Sequence, residues 1–466
     1  MQYQEEQIEA IVQQVLSQLT NASVKKTSPW RGVFPTPDQA VEAAVTAFRK
    51  FRKVGIEQRK AIIQAVRQKA VQNSQKLAQL AFEETHLGRV SDKVIKNLLV
   101  AEKTPGVEIL PNEAFVGDNG LTLEECAPYG VILAITPVTN PTSTIINNTI
   151  SMIAAGNTVV FAPHPASREV SLTTIDLLNE AIESAGGPPN VLTACEQASI
   201  EIAQELMAHP QITLLVVTGG KAVVDTALRS GKRTIGAAAG NPPALVDDTA
   251  DPAKAARDIV LGHSFDNNLP CTSEKEIIAT AGIYDALIAC FKSADNAMVL
   301  KRDDIPRLEN VVLNEKRSGP NPKYIGRNAN VILKELGYQA SDDLRTIIVE
   351  TDKNHPFVRL EMMMPVLPIV CVRTFEEAVD VAVEVEAGLR HSAVIHSSNI
   401  YHMSDFGRAI NTTIFVKNAP SYAGLGYGGE GYTSFTIAGR TGEGMTTART
   451  FTRIRRCTLV GAFSAV

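Results

Sequence analysis

The feature that most constrains the fold is an alternation of short apolar runs, broken by Gly and Pro, with segments of helical periodicity. Strands that alternate with helices of this length form parallel, doubly wound sheets. The first series comprises strands at residues 131–136, 158–162, 191–194 and 214–218, with helices at 142–155 and 170–184. The second comprises strands at residues 275–280, 347–350, 366–372, 392–396 and 413–416. The sequence therefore predicts an α/β fold with two doubly wound domains.

Two further regions have helical character. Residues 38–73 carry an alanine-rich pattern that predicts two helices, and a third is predicted to begin at Ser74 and to end near Glu84. At the N-terminus, residues 2–19 have the spacing of an amphipathic helix, and the polar residues 20–29 behind them read as a linker. Such a helix either packs back on the body or docks on a partner, and the linker favours a partner.

Composition excludes several classes of protein. With 466 residues, 44% of them hydrophobic, the chain can build two or three cores, and a net charge of -5 argues against nucleic acid as a partner. No apolar run approaches the ~20 residues of a membrane span, and no secretory signal is present. The six cysteines are scattered without a CxxC pair, which argues against a disulfide framework or a metal site. We therefore expect a soluble, cytoplasmic protein without bound metal.

One cysteine stands out from the others. Residues 264–271 form a polar, turn-forming run that ends at Cys271, directly before an apolar strand. Asn268 and Pro270 would hold the backbone there in a fixed, non-helical geometry, as a nucleophilic thiol requires. A lone cysteine is more often an inert small hydrophobe, so this segment alone leaves both interpretations open.

Two other segments have the character of ligand sites. Thr218, Gly219 and Gly220 end a strand and open a helix, where free backbone amides could meet a phosphate. Asn140 lies between two prolines, Pro137 and Pro141, at the end of another strand, which is a rigid mount for its amide. Each segment alone is also compatible with an ordinary turn.

The order and spacing of these segments resemble the aldehyde dehydrogenase superfamily from about Val33 onward. The resembling segments are residues 136–141, 161–166, 217–220, 265–271, 361–366 and 414–418. The resemblance is closer to the CoA-acylating branch found in bacterial microcompartments, which includes propionaldehyde and acetaldehyde dehydrogenases. It is carried by residues 237–243, 264–271, 428–431 and 441–444. Residues 2–19 and their linker are similar to the encapsulation peptides of that branch.

The resemblance implies a role for each site residue. The Cys271 thiolate would attack an aldehyde, and the Asn140 amide with the Cys271 N–H would hold the oxyanion. Hydride would pass to NAD, whose nicotinamide ribose Glu361 would bind. The remaining residues of the implied cofactor site are Thr136, Pro137, His164, Thr218, Gly219 and Gly220.

Two departures from the superfamily pattern matter. Hydrolytic members carry a glutamate as general base where residues 236–240 have no carboxylate. The acyl group should then pass to the thiol of coenzyme A, with reduced cofactor leaving before CoA enters, and His263 either assists that thiol or is structural. At the adenosine ribose, His164, Ser167 and Arg168 replace the common Lys and Glu, so NADP is less firmly excluded.

The resemblance also implies a domain layout. Residues 1–19 would be the encapsulation helix and 20–34 a linker, with the dinucleotide and CoA domain at 35–110 and 128–243 and the catalytic domain at 244–440. Residues 111–127 and 445–466 would form an arm that joins subunits into a dimer or tetramer. A microcompartment shell protein would bind residues 2–19, which places the enzyme in the compartment lumen.

Several alternatives remain open from sequence. One is a hydrolytic NAD(P)-dependent aldehyde dehydrogenase, and another is a cysteine acyltransferase or hydrolase without a redox step. A third is a scaffold that binds through residues 2–19 and has a decayed active site. Acetaldehyde and propionaldehyde are both reasonable substrates, because Met362, Met363 and Tyr422 could belong either to the core or to the acyl pocket.

Overall fold

The computed structural model describes residues 28–462. The predicted amphipathic helix at 2–19 lies outside the described residues. The α-helices within them are α1 Pro37–Phe51, α2 Ile56–Gln72, α3 Ser74–Thr85, α4 Val90–Lys103, α5 Pro141–Ala154, α6 Arg168–Ser184, α7 Ile200–Ala208, α8 Lys221–Leu228, α9 Pro252–Ser264, α10 Ala281–Ser293, α11 Ile305–Val312, α12 Ala329–Glu335, α13 Pro356–Arg359, α14 Phe375–Glu386 and α15 Ile400–Ile410.

The strands carry the topology of the fold. They are β1 Val33–Phe34, β2 Glu113–Gly117, β3 Gly120–Pro128, β4 Val131–Thr136, β5 Thr158–Pro163, β6 Leu192–Cys195, β7 Leu214–Thr218, β8 Thr234–Ala237, β9 Pro243–Val246, β10 Glu276–Thr280, β11 Ala297–Val299, β12 Thr346–Thr351, β13 Val366–Val372, β14 Ser392–His396, β15 Ile414–Lys417, β16 Ile437–Ala438, β17 Gly444–Met445 and β18 Thr452–Val460.

The first sheet has six parallel strands in the order β1-β6-β5-β4-β7-β8. From β4 the chain builds outward through β5 and β6, and then returns to place β7 on the other side of β4. The order of the strands therefore reverses between β4 and β7. In open parallel sheets, ligands bind at such a reversal, outside the carboxyl ends of the strands.

The second sheet has seven parallel strands in the order β11-β12-β13-β10-β9-β14-β15. Its two central strands, β9 and β10, pair in the register Ala244 to Ile277. Strand β13 pairs with β10, and β14 pairs with β9. The segments that enter these four strands therefore meet at one edge of the sheet.

Both faces of the first sheet are buried, which explains its nearly continuous apolar strands. Along β4, Ile132 packs into the cluster that includes α5 and α6, whereas Leu133 packs into the cluster that includes α1. Successive side chains of a strand point to opposite faces, so each face needs its own layer of helices. Every residue of α5 is buried, which makes it the central helix of this half.

Strands β2, β3 and β18 form a separate antiparallel sheet in the order β18-β3-β2. Leu121 of β3 lies opposite both Val116 of β2 and Leu459 of β18. Val116 is 62% exposed and Leu459 is 46% exposed. The two segments predicted to form an arm, 111–127 and 445–466, thus contain β2 and most of β3 in the first and β18 in the second, and β3 pairs with β18.

The α/β class and the parallel sheets are confirmed, while the domain boundaries stay predictions. Val33 and Phe34, which the predicted layout places in the linker, form β1. They pair with β6, where the Gly32 carbonyl accepts from Ala194 at 2.9 Å and the Phe34 carbonyl accepts from Glu196 at 2.7 Å. Across residues 28–462, no helix has the length and apolar character needed to cross a membrane.

Candidate active site

The site lies where the carboxyl edge of the first sheet faces the amino edge of the second. Strand β8 ends at Ala237 and β9 begins at Pro243, so one short segment joins the two edges. Cys271 precedes β10, and Glu361 precedes β13 on the adjacent strand. Parallel pairing thus gathers residues that are distant in sequence into one place.

The loop before Cys271 has an unusual backbone. Asp266, Asn267 and Asn268 have φ values of 48°, 54° and 66°, so three consecutive residues lie in the left-handed region. Asp and Asn tolerate this region better than other residues with a side chain. All three are buried, and each is held by bonds from outside the loop. The predicted fixed, non-helical geometry is therefore confirmed.

Asp266 connects the loop to helix α4 and to Arg89, the residue directly before that helix. Its Oδ1 accepts from the Arg89 backbone N–H at 2.7 Å, and its Oδ2 accepts from Lys93 Nζ at 3.0 Å and from Lys96 Nζ. Gly88 makes room for the carboxylate, since a Cβ at that position would overlap it. Asp266 has no exposed surface, so these bonds replace water around its charge.

Asn268 ties the other end of the loop to β10. Its Oδ1 accepts from Lys275 Nζ at 2.7 Å, and its Nδ2 donates to the carbonyls of His263 and Glu274, both at 3.0 Å. His263 Nδ1 lies 2.7 Å from the Glu274 carbonyl, and burial lowers the pKa of His263 to about 3. The ring has no exposed surface, so His263 supports the loop as a neutral side chain.

The Cys271 thiol is partly exposed and lies among opposing charges. Burial, and after it the charge of Glu361, raises the pKa of Cys271 to about 12, while Lys275 and Lys96 act to lower it. The thiol is therefore protonated at neutral pH in this arrangement. Formation of the thiolate requires a change in the charges or the solvation around Cys271.

Gly240 is in contact with the nucleophile segment. A Cβ on Gly240 would lie 2.7 Å from the Cys271 carbonyl oxygen and 2.8 Å from Cγ of His391, so only glycine fits. The Gly240 N–H donates to Glu361, whose carboxylate also lies 3.9 Å from Lys275 Nζ. The segment 236–240, which has no carboxylate, therefore ends in contact with the Cys271 backbone.

Asn140 caps the N-terminus of α5, at the end of the loop that follows β4. Its Oδ1 accepts from Lys96 Nζ at 2.6 Å, and its Nδ2 donates to Thr139 Oγ1 at 3.1 Å. Lys96 Nζ also bonds Asp266 in the loop before Cys271. One buried ammonium group therefore connects the two predicted catalytic segments.

The predicted cofactor residues line the carboxyl edge of the first sheet. Thr136 ends β4, and its buried hydroxyl has no hydrogen-bond partner among the described residues. Thr218 ends β7 beside the reversal and bonds Thr436, with the oxygens 2.9 Å apart. A Cβ on Gly220 would meet nothing within 4 Å, so the backbone there is open to a ligand. The Thr136 hydroxyl can donate to a ligand, and the backbone amides at Gly220 can bind a phosphate, so this edge of the sheet fits a dinucleotide.

His164 lies farther out on this edge, directly after β5. Its Nδ1 accepts from the Ala166 N–H at 3.1 Å, and its ring is exposed. The neighbouring cation, Arg168, is already engaged: it bonds the Glu196 carbonyl, lies 3.2 Å from Glu169 and stacks over Trp30. Arg168 in this position is not free to bind a ribose phosphate.

Several residues of the site were not identified from the sequence. They are Lys96, Gly240, Lys275 and His391. His391 had a detectable signal, because it directly precedes a predicted strand that lies beside β9. Lys96 gave no such signal in the sequence. The apolar residues of its helix predict that a different face of the helix is buried.

The structure also clarifies the three residues left open as core or pocket. Met362 is 3% exposed and belongs to the core cluster beneath β12 and β13. Met363 is partly exposed and has a positive φ of 51°. Tyr422 packs against Phe265 and Tyr427, with ring centroids 5.5 Å and 5.0 Å apart. Among residues 28–462, no group of three or more His, Cys, Asp or Glu side chains is arranged to hold a metal ion.

Residues 35–452 match the aldehyde dehydrogenase family. Acetaldehyde dehydrogenase (acetylating) EutE of Salmonella typhimurium is 47% identical, over 99% of this chain and 100% of that protein. The structure of Rhodopseudomonas palustris propionaldehyde dehydrogenase with bound CoA and an acylated cysteine has a TM-score of 0.90 and 48% identity, covering 92% of this chain and 98% of that one.

A propionaldehyde dehydrogenase from the fucose utilisation bacterial microcompartment of Clostridium phytofermentans has a TM-score of 0.91 and 47% identity. That match covers 94% of this chain and 100% of the other. The chain belongs to the aldehyde dehydrogenase family.

Replacing Glu361 tests the charge balance at the thiol. A neighbouring negative charge disfavours the thiolate, so Glu361→Gln should lower the pH midpoint for alkylation of Cys271 by iodoacetamide and speed the reaction at neutral pH. Mass spectrometry of the Cys271 peptide separates this reaction from that of the exposed Cys371 and Cys457. Glu335→Gln, at an exposed surface pair, is the control. A midpoint that stays unchanged or rises would contradict the assignment.

Proposed function

We propose that the protein oxidises a short-chain aldehyde to an acyl-CoA, with NAD as hydride acceptor. The observation that carries this proposal is the segment 236–240, which has no carboxylate and lies against the Cys271 backbone. The similarity to acylating dehydrogenases of acetaldehyde and propionaldehyde supports it.

In the proposed reaction, the Cys271 thiol releases its proton to solvent, and Sγ bonds to the aldehyde carbonyl carbon as the C=O π bond opens. The carbonyl oxygen becomes an oxyanion, which the Asn140 amide and the Cys271 N–H would stabilise by hydrogen bonds. The bound nicotinamide ring supplies the hydride acceptor. Thr136, Pro137, His164 and Thr218 to Gly220 would hold this cofactor at the carboxyl edge of the first sheet, with Glu361 at its ribose.

The fate of the resulting thioester on Cys271 depends on the absence of a base. Water needs a positioned carboxylate to attack a thioester quickly, and residues 236–240 offer none. Glu361 is a carboxylate near the thiol, but it is bonded to the Gly240 N–H and lies 3.9 Å from Lys275. The CoA thiol ionises far more readily than water, so it can take the acyl group without such help.

The relatives named above act on acetaldehyde and on propionaldehyde, so the proposal covers short-chain aldehydes as a class. Tyr422, Tyr427 and Phe265 form an aromatic group beside the segment that leads to Cys271. We propose that this group limits the length of the aldehyde.

A burst experiment tests the reaction type. Mixed with NAD and propionaldehyde but without CoA, the enzyme should release about one NADH per Cys271 and then stop, because the acyl-enzyme hydrolyses slowly. Addition of CoA should restore steady turnover and yield propionyl-CoA. The matched variant Cys271→Ala should show no burst. Continuous turnover without CoA would instead identify a hydrolytic dehydrogenase, and no NADH formation under either condition would point to a non-redox acyltransferase.

We further propose that the enzyme works in the lumen of a bacterial microcompartment and that residues 2–19 bind a shell protein. The amphipathic spacing of these residues and the microcompartment origin of a 47% identical protein support this role.

Deletion of residues 2–19 should leave kcat within about two-fold of the full chain and abolish co-sedimentation with shell particles. The reason is that a docking segment contributes to partner binding and not to the active site. Steady-state assays and sedimentation of the same preparations measure the two effects. Loss of activity together with loss of sedimentation would mean that the segment belongs to the fold.

We also propose that the sheet of β2, β3 and β18 pairs subunits. Its apolar row consists of the exposed Val116 and Leu459 and the partly exposed Leu121 between them, and it would otherwise face water, which is unusual for a free surface of this kind.

The double variant Val116→Lys/Leu459→Lys should reduce the molar mass measured by light scattering toward that of one chain, because two buried charges would oppose the contact. Ile400→Lys, which changes a residue of α15 that is 66% exposed, is the matched control and should leave the mass unchanged. An unaltered mass in the double variant would refute this interface.

A further inference from the structure

Helix α4 turns charged side chains inward. Lys93 is 3% exposed and Lys96 is 1% exposed, and both direct their ammonium groups at the fully buried Asp266. Two buried ammonium groups on one carboxylate cost desolvation energy that a pair of apolar side chains would not. The arrangement is therefore a poor choice for stability alone.

The two lysines differ in one contact. Lys93 Nζ bonds Asp266 at 3.0 Å, and Asp266 is its only side-chain partner among the described residues. Lys96 lies one turn further along α4 and bonds both Asp266 and Asn140 Oδ1, the latter at 2.6 Å. The pair therefore offers a natural comparison between a lysine that reaches Asn140 and one that does not.

The Lys96 contact determines which way the Asn140 amide faces. A lysine ammonium has donors and no acceptor, so the amide must present its oxygen to Lys96. A flipped amide would place its N–H groups against the ammonium. The amide nitrogen is thereby forced to the opposite side, where one N–H bonds Thr139 Oγ1 and the second is left for another acceptor.

We propose that Lys96 is a positioning residue that orients the Asn140 amide as an oxyanion donor, with Asp266 fixing the Lys96 ammonium. The inference rests on the proposed function, in which Asn140 binds the oxyanion at Cys271. The positive charge of the Lys96 ammonium beside the amide oxygen also polarises the amide and makes its N–H groups stronger donors. Burial lowers the pKa of Lys96 to about 8, so the side chain still carries its charge at neutral pH.

Lys96→Met tests this role, and Lys93→Met is the matched control. Both substitutions remove one buried ammonium from the same carboxylate, and each leaves Asp266 with the other lysine and the Arg89 N–H. Loss of one oxyanion donor costs about 10²–10³-fold in kcat. We expect Lys96→Met to lower kcat by about 10–100-fold, with the aldehyde KM changed by less than about three-fold, since the donor remains but is misdirected. Lys93→Met should stay within about three-fold of the wild type.

A double-variant cycle separates positioning from a general effect on the fold. If Lys96 acts through Asn140, its removal from an Asn140→Ala background should cost less than about three-fold, because no amide remains to orient. Equal losses in both backgrounds would overturn the proposal. So would equal losses for Lys96→Met and Lys93→Met. Lys96→Gln, which keeps a neutral donor, provides a second variant if the methionine protein does not fold, and it should retain more activity than Lys96→Ala.

One measurement distinguishes an effect on the thiol from an effect on Asn140. Alkylation of Cys271 by iodoacetamide forms no oxyanion, and Lys96 is the weakest of the influences on the pKa of that thiol, so at neutral pH the alkylation rate of Lys96→Met should fall far less than kcat does. A loss of alkylation parallel to the loss of kcat would show that Lys96 acts on the thiol and would refute the inference. If Asn140→Ala itself retains full activity, with the burst in the absence of CoA and the steady turnover in its presence, the oxyanion role and this inference fail together and the proposed reaction stands.

Discussion

Asp266, Asn267 and Asn268 adopt left-handed backbone one after another, and the position of Cys271 depends on that strain being held. Such conformations cost about 1–3 kcal/mol each where nothing compensates them. The compensation comes from hydrogen bonds with other parts of the chain. The Asp266 carboxylate accepts from the Arg89 N–H directly before α4, and the Asn267 amide donates to the Gly326 carbonyl and to Asn328. The Asn268 amide oxygen accepts from Lys275, directly before β10. The nucleophile loop is thus fixed by contacts with three separate parts of the chain.

The strand pattern predicted the two sheets well, because a buried parallel strand has to be apolar on both faces. Segments 131–136, 214–218, 366–372 and 392–396 were assigned with the bounds that the structure has. Strands β8, β9 and β11 are not predicted, because Gly236 interrupts β8, Pro243 opens β9 and β11 has only three residues, so none of them presents a clear apolar run.

The site was predicted less completely, for a physical reason. Helix α4 carries Val94, Ile95 and Leu98, which an amphipathic pattern would turn inward, but the structure buries Lys93 and Lys96 more deeply than these. What decides the orientation is Asp266, which is 170 residues away from Lys96 in sequence. A pattern read along one helix cannot contain that partner, so charged residues whose role is to pair across the fold are read as solvent-exposed.

The charges around Cys271 also influence whether water or the CoA thiol takes the acyl group from the thioester. Glu361 is near enough to raise the pKa of the thiol, so a carboxylate is not missing from the neighbourhood as such. Burial raises the pKa of Glu361, while Lys275, whose Nζ lies 3.9 Å from the carboxylate, and the Gly240 N–H act to lower that pKa and hold the carboxylate in place. Gly240 contributes twice, since its N–H binds Glu361 and its lack of a side chain lets the Cys271 carbonyl approach. Choice between water and a thiol as acyl acceptor therefore rests on where the carboxylate is anchored, not on whether the site contains one.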